Sequence, residues 1–194
     1  MSTRERITEA ALRLALVDGL GGLSVRAVAR EAGVGATTLR HYFPTQAELY
    51  RVIAARYVNA QLSDLGIADA DRDPVQRLHE CLVQFLAPAD QPDQRLSLES
   101  WFELHRTALA PDALPTGRET LVNGHHSSAD VLTRWLTTLA EQGHLAAEGV
   151  AGHAGTALAL ISGLHLTMLI DPERFDHASA VRSLLWFARG AITG

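Results

Sequence analysis

The sequence predicts an all-α protein. Three observations point that way. The chain is 194 residues long and 47% hydrophobic, enough to bury a sizeable core. Aromatic residues make up only 6% while Ala, Leu and Gly are plentiful, and β-branched residues rarely alternate with polar ones. Finally, Ser, Thr and Asp stand repeatedly just ahead of runs whose apolar residues recur at helical spacing, the pattern of capped amphipathic helices. About nine helices are expected.

The first opens at Ser2, which with Glu5 has capping-box spacing, and carries Ile7, Ala10, Ala11 and Leu14 on one face. The glycines from Gly19 to Gly22 end it. Ser24 caps a short helix reaching Ala32, with Val25, Val28 and Ala29 inward and Arg26 and Arg30 outward. Gly33 closes that helix, and a third runs from Ala36 to Tyr42 until Pro44 stops it. Thr45 and Glu48 repeat the capping-box pattern at the start of a fourth.

Asp73-Pro74 supplies N-cap and first position for a helix bearing Val75, Leu78, Cys81 and Leu82. The Pro-containing breaks "APADQPDQ" and "APDALPTG" bracket the next, and a polar helix follows to Gln142 with Val131, Leu132, Trp135, Leu136 and Leu139 on its apolar side. Two last helices, about 150–170 and 177–192, are apolar around more of their circumference than a surface helix should be.

Charge divides the chain. All seventeen basic residues are arginine. Up to Ala60 eight arginines face five acids, a net +3; beyond it nine face seventeen, a net −8. A basic end that meets an anion and an acidic body that does not is the reading this asymmetry favours.

The basic part contains "GVGATTLRHYF" at 33–43. Two short helices joined by a tight glycine turn and preceded by a longer amphipathic helix make a helix-turn-helix unit, with Val34 plugging the turn and Leu39 facing the core. A helix entering the major groove needs short residues near its start and longer donors further on. Ala36, Thr37, Thr38, Arg40, His41 and Tyr42 have that profile. Arg26, Thr45 and Gln46 are candidates for phosphate, the last two because a helix N-terminus favours anions.

At this point the segment "LSVRAVAREAGVGATTLRHYFPTQAELY" resembles the DNA-binding region of the TetR family of bacterial transcriptional regulators. Carrying the resemblance are the Val25, Val28, Ala29 alternation, Ala-Gly-Val at 32–34, the aromatic-Phe pair Tyr42-Phe43, and Glu48-Leu49. Gly35, Arg40 and Gln46 depart from the family's usual Ser or Thr, Tyr and Lys. The resemblance implies a three-helix DNA-binding domain at 1–45, a connecting fourth helix at 46–66, and a larger helical ligand-binding and dimerisation domain at 67–194. It also implies a repressor released from DNA by an effector; Arg4, Glu5, Arg6, Glu9 and Arg13, which make the N-terminal apolar stretch amphipathic rather than a signal-peptide core, favour a cytoplasmic location.

Two-fold symmetry on a palindromic operator is the usual way such a small unit gains selectivity. The apolar terminal helices suit a homodimer, through Gly155, Leu158, Ala159 and Ser162 on one and Val181, Leu184, Leu185 and Ala188 on the other. Burial within the monomer is the competing account of the same residues. Phe85, Trp101, Phe102, His105, Trp135 and His165 form a mixed apolar and hydrogen-bonding set suited to a small, largely apolar effector, or to ordinary core packing.

Other classes find little support. Cys81 is the only cysteine, so no intramolecular disulfide forms. His125-His126 lacks the i, i+4 spacing of a helical metal pair, and no catalytic elbow or phosphate loop occurs, so no enzyme, metal or cofactor is expected. The uncharged run at 149–170 approaches membrane-span length, but its Gly, His, Ser and Thr content favours a bundle helix. A ligand-independent DNA-binding protein is the alternative function.

Overall fold

Caps and apolar stripes, written into the chain at regular intervals, organise an all-helical architecture. The computed structural model describes residues 1–18, 24–45, 48–49, 52, 62–86, 94–111, 113 and 115–192. Among these lie eight α-helices: α1 (Thr3–Asp18), α2 (Val25–Glu31), α3 (Ala36–Tyr42), α4 (Pro74–Val83), α5 (Gln94–Leu109), α6 (Pro115–Glu141), α7 (Val150–Ile170) and α8 (His177–Ile192). A short 3-10 turn, Ala147–Gly149, precedes α7, and the described residues contain no strand. Residues 48, 49 and 52 are also helical.

The chain divides into two compact units. The first comprises residues 1–60 and 104–127, the second 61–103 and 128–194. This does not coincide with the linear partition at 45 and 66, because α5 and α6 each contribute to both units. Residues 62–66, expected to end the fourth helix, are loop and turn; the rest of that helix falls largely outside the described residues.

In the first unit, Ile7 and Ala11 of α1, Val28 and Ala29 of α2, Leu39 of α3, Phe43 and Leu49 form one buried cluster. Ala29 is small enough to let helices approach closely. Three helix starts are capped as the sequence predicts. The Ser2 amide donates to Glu5 Oε2 at 2.6 Å and the Glu5 amide to Ser2 Oγ at 3.2 Å. Ser24 Oγ accepts from the Ala27 amide at 3.1 Å, and Thr45 Oγ1 from the Glu48 amide at 3.1 Å. These bonds satisfy amides that a helix start leaves without partners.

In the second unit the core collects Leu78, Cys81 and Leu82 of α4, Leu132, Trp135, Leu136 and Leu139 of α6, Ala157, Ile161 and Leu164 of α7, and Ala180, Leu184 and Ala188 of α8. Helix α7 is long and apolar enough to cross a membrane, yet one face of it, from Val150 to Met168, is buried. Burial of the Cys81 thiol pushes its pKa up to about 12, so it stays protonated. Arg77 is fully buried, donating through Nη1 to the Ile67 carbonyl at 2.7 Å and to Gln142 Oε1 at 2.8 Å.

Beside it, Asp64 holds the loop before α4 to α6. It accepts from Trp135 Nε1 at 2.6 Å and from Arg134 Nη2 at 2.7 Å. The Arg134 hydrogen bond first, then that from Trp135, holds the Asp64 carboxyl below its ordinary range. A depressed folded pKa contributes stability that is present above the unfolded value of about 4 and disappears as pH falls through the folded value. Asp64→Asn is therefore expected to be less stable than the parent at pH 7, with the gap closing on acidification below pH ~4. Urea unfolding at pH 7, 5 and 3 measures this, and a pH-independent gap would contradict it.

Candidate nucleic-acid interface

The turn between α2 and α3 sets the pose of α3. Gly33 has φ +64°, the left-handed conformation that ends a helix, and nothing lies within 4 Å of where its Cβ would be. Its amide donates to the Arg30 carbonyl at 3.2 Å and the Val34 amide to that of Ala29 at 3.0 Å, so the chain reverses while Val34 packs against the core cluster. Gly33→Ala is expected to cost about 1–2 kcal/mol from backbone strain alone. Urea denaturation tests this; an unchanged midpoint would mean the turn relaxes.

Gly35 then occupies the N-cap of α3 without a side-chain hydrogen bond. Successive residues on a helix lie about 100° apart. With Leu39 and Phe43 each only 1% exposed, the opposite face centres on Thr37 and His41, flanked by Arg40 and Thr38. All four are exposed, as is Ala36 at the helix start. Tyr42 is different: it is half-buried, packs against the core cluster, and meets the His41 ring edge-on at 5.1 Å. The outward orientation expected for it is corrected, because it points within about 60° of Leu39 and packs against the core cluster.

Arg26 is exposed on α2, and so is Arg30 one turn further on. Of these two arginines the expected phosphate contacts included only Arg26; the i, i+4 spacing was the signal that could have added Arg30. Thr45 is exposed and caps Glu48, while Gln46 lies outside the described residues. Arg4 is engaged elsewhere: its guanidinium sits 5.1 Å from the Phe43 ring centroid and 4.0 Å from Glu48 Oε1. An exposed arginine pair on α2 beside the short polar helix α3, in a segment of net positive charge, defines a helix-turn-helix DNA-binding protein.

Residues 7–53 match the family model described as bacterial regulatory proteins, tetR family. The HTH-type transcriptional regulator PksA of Bacillus subtilis (strain 168) is 29% identical over 177 residues, which is 89% of this chain and 82% of that protein. The HTH-type transcriptional repressor DrrR1 of Streptomyces coeruleorubidus is 43% identical over 54 residues, 28% of this chain and 20% of that protein. The multidrug binding protein EbrR, in complex with proflavin, shares the fold with a TM-score of 0.55 at 22% identity, over 96% of this chain and 99% of that one. Together, the family model over residues 7–53 and these relatives support a regulator of the TetR family. Proteins of this family are transcription factors rather than enzymes.

In the second unit, four of the six residues expected around a ligand are brought together. The Phe85 and Trp135 rings meet edge-on at 6.1 Å, Trp101 and His165 lie 5.2 Å apart, and His165 Nε2 is 3.1 Å from the Phe85 carbonyl. Trp135 is fully buried and its N–H is held by Asp64, so it is a core residue. Phe102 is 40% exposed, and His105 belongs to the first unit. Among the described residues no group of three His, Cys, Asp or Glu side chains could hold a metal ion.

The residues expected at a dimer interface also divide. Leu184 and Ala188 are fully buried within the unit, and Leu158 nearly so. Assigning them to a dimer surface is corrected: they face the monomer's own helices. Val181, Leu185 and Ser162 are half-buried, while Gly155 and Ala159 are exposed. Among the described residues of α7 and α8, sequence reasoning missed the most exposed large apolar groups, Trp186 at 77% and Ile170 at 72%. Helix periodicity could have placed Trp186 opposite the buried Leu184 and Ala188.

Proposed function

We propose that this regulator is a repressor which binds a palindromic operator as a homodimer and leaves it when a small, largely apolar effector binds. The observation that carries the reading is the face of α3 opposite Leu39, where Thr37, Thr38, Arg40 and His41 stand exposed beside Arg26 and Arg30. Thr37 and Thr38 are short enough to let a helix backbone approach base edges, Arg40 can pair with guanine, and the arginines of α2 meet phosphate. The protein then acts in the cytoplasm, where its DNA is.

Dimerisation is supported by the face of α7 and α8 that the monomer leaves open. Gly155 and Ala159 would allow close helix approach, and Ile170 and Trp186 are large exposed apolar side chains that a partner could cover. Two-fold pairing would present two α3 helices to half-sites about 34–36 Å apart. Repression agrees with the name of the relative DrrR1, and effector binding with that of EbrR. An effector acts only through different affinities for the DNA-competent and incompetent states.

The test is selection of bound genomic fragments at two salt concentrations, followed by titration with small apolar compounds. A selected palindrome, released by at least one compound, is the expected result. Asymmetric sites bound by monomer would overturn the dimer reading, and affinity indifferent to every bound compound would leave a ligand-independent regulator.

A further inference from the structure

Residues 24–49, which carry α2, α3 and the start of the next helix, contain three arginines, Arg26, Arg30 and Arg40, and two acids, Glu31 and Glu48. Each acid is met by an arginine of α1. Arg13 Nε donates to Glu31 Oε1 at 3.3 Å, and Arg4 Nη2 lies 4.0 Å from Glu48 Oε1. The Arg4 guanidinium is also held over the Phe43 ring, and its backbone carbonyl accepts from Thr8 Oγ1 at 2.9 Å. The Ser2 and Glu5 caps fix the helical turn from which Arg4 projects. By contrast, Arg26, Arg30 and Arg40 form no ion pair among the described residues.

Both pairs lie at the surface, with all four side chains between 32% and 58% exposed. Such pairs contribute little to stability, because water screens them and ordering two long side chains has an entropic cost. Toward a polyanion they matter more. Alone, the segment's three arginines and two acids leave 3 − 2 = +1; with Arg4 and Arg13 the balance is 5 − 2 = +3. Glu31 adjoins Arg30, and the Glu48 amide is bonded to Thr45 Oγ1 at 3.1 Å. A bare carboxylate at either place repels a phosphate held beside it, over a distance that physiological salt, with its Debye length of about 8 Å, does not screen.

We propose that Arg4 and Arg13 are positioning residues for DNA binding, which act through Glu48 and Glu31 without touching DNA. By neutralising the two acids they leave Arg26, Arg30 and Arg40 as the unopposed charges of the face that meets phosphate. The assignment rests on the reading of that face given above. It explains why α1 spends two of its arginines on exposed pairs that stabilise the fold so little.

The test is a set of single and double substitutions in the full chain. Affinity for the selected operator and for an unrelated duplex is read by fluorescence anisotropy at low and physiological salt, and stability by urea unfolding. Arg4→Gln and Arg13→Gln are each expected to weaken binding to both duplexes about three- to tenfold at low salt, and less at higher salt, with little change in urea midpoint. Adding Glu48→Gln to Arg4→Gln, or Glu31→Gln to Arg13→Gln, should return affinity to within about twofold of the parent. Glu119→Gln is the control, because it restores the same net charge from an exposed position on α6, outside the segment. It should leave Arg4→Gln as weak as before. The two pairs are independent, so one decides if a variant of the other does not fold.

Matched doubles as weak as the single arginine variants would mean that the arginines contact phosphate directly. Rescue by Glu119→Gln would mean that net charge alone is responsible. Either result overturns the assignment, as does unchanged affinity in both arginine variants. A parent protein that binds neither duplex would instead remove the DNA-facing reading, and the assignment with it.

Discussion

Trp135→Ala is expected to destabilise the protein by about 3–5 kcal/mol, the range for removing a large buried aromatic side chain. Trp135 is fully buried on α6 and packs edge-on against Phe85. Its removal leaves a cavity that neighbouring helices fill only in part, because close-packed side chains relax little. It also takes away a hydrogen bond to Asp64, loosening the loop before α4. Against a total stability of typically 5–15 kcal/mol, the loss is a large fraction. Trp135→Phe separates the two contributions. It keeps most of the volume and loses the N–H, so a smaller cost of about 1–2 kcal/mol is expected, near that of one hydrogen bond to a charged group plus modest repacking. Equal costs for the two variants would mean that the hydrogen bond, not the packing, dominates.

Arg40→Ala and Arg26→Ala are expected to damage DNA binding in different ways. Arg40 stands exposed on the outward face of α3, where a guanidinium can pair bidentately with a guanine edge. Its loss is expected to cost about 1–3 kcal/mol on the selected operator and to relax base preference at the position it reads. Arg26 stands on α2, before the turn, where a phosphate contact carries no sequence information. Its removal is expected to weaken all sequences alike and to lower the slope of log affinity against log salt by about one. Binding titrations of parent and both variants, on the operator and on unrelated DNA across a salt series, read out both effects. Indistinguishable behaviour of all three proteins would rule out this placement of α2 and α3.

Much of the DNA-binding unit was legible in the sequence because it is built from local contacts. Ser2 with Glu5, and Ser24 with Ala27, form their caps over three residues. Gly33 carries the positive φ that its place after a short helix implies. Leu39 is buried and Thr37 exposed simply from their angular positions about α3. The limits of this reasoning show at Tyr42: aromatic and polar at once, it suits either face, and only its packing against the core cluster decides.

The C-terminal part was harder for a physical reason. Helix α7 is apolar nearly all round, so its periodicity does not say which stripe meets the monomer and which stays open. Leu184 and Trp186 are two residues apart, one fully buried and the other 77% exposed. The aromatic and histidine residues were similarly ambiguous, since cores and ligand sites draw on the same side chains. Nor could the sequence show that His177 keeps a buried nitrogen without a partner, because that depends on what surrounds it.

By itself, then, the sequence determined the helical class, the position of the helix-turn-helix, the positive charge of that end and the outward set Thr37, Thr38, Arg40 and His41. These follow from caps, turns and a 3.6-residue period, interactions spanning a few residues. Tertiary structure alone decided that residues 104–127 join the first unit, that Trp135, Leu184 and Ala188 are core, and that Arg4 and Arg13 stand against Glu48 and Glu31. Each of those depends on side chains distant in sequence, and helix periodicity fixes which way a residue points without fixing what it meets.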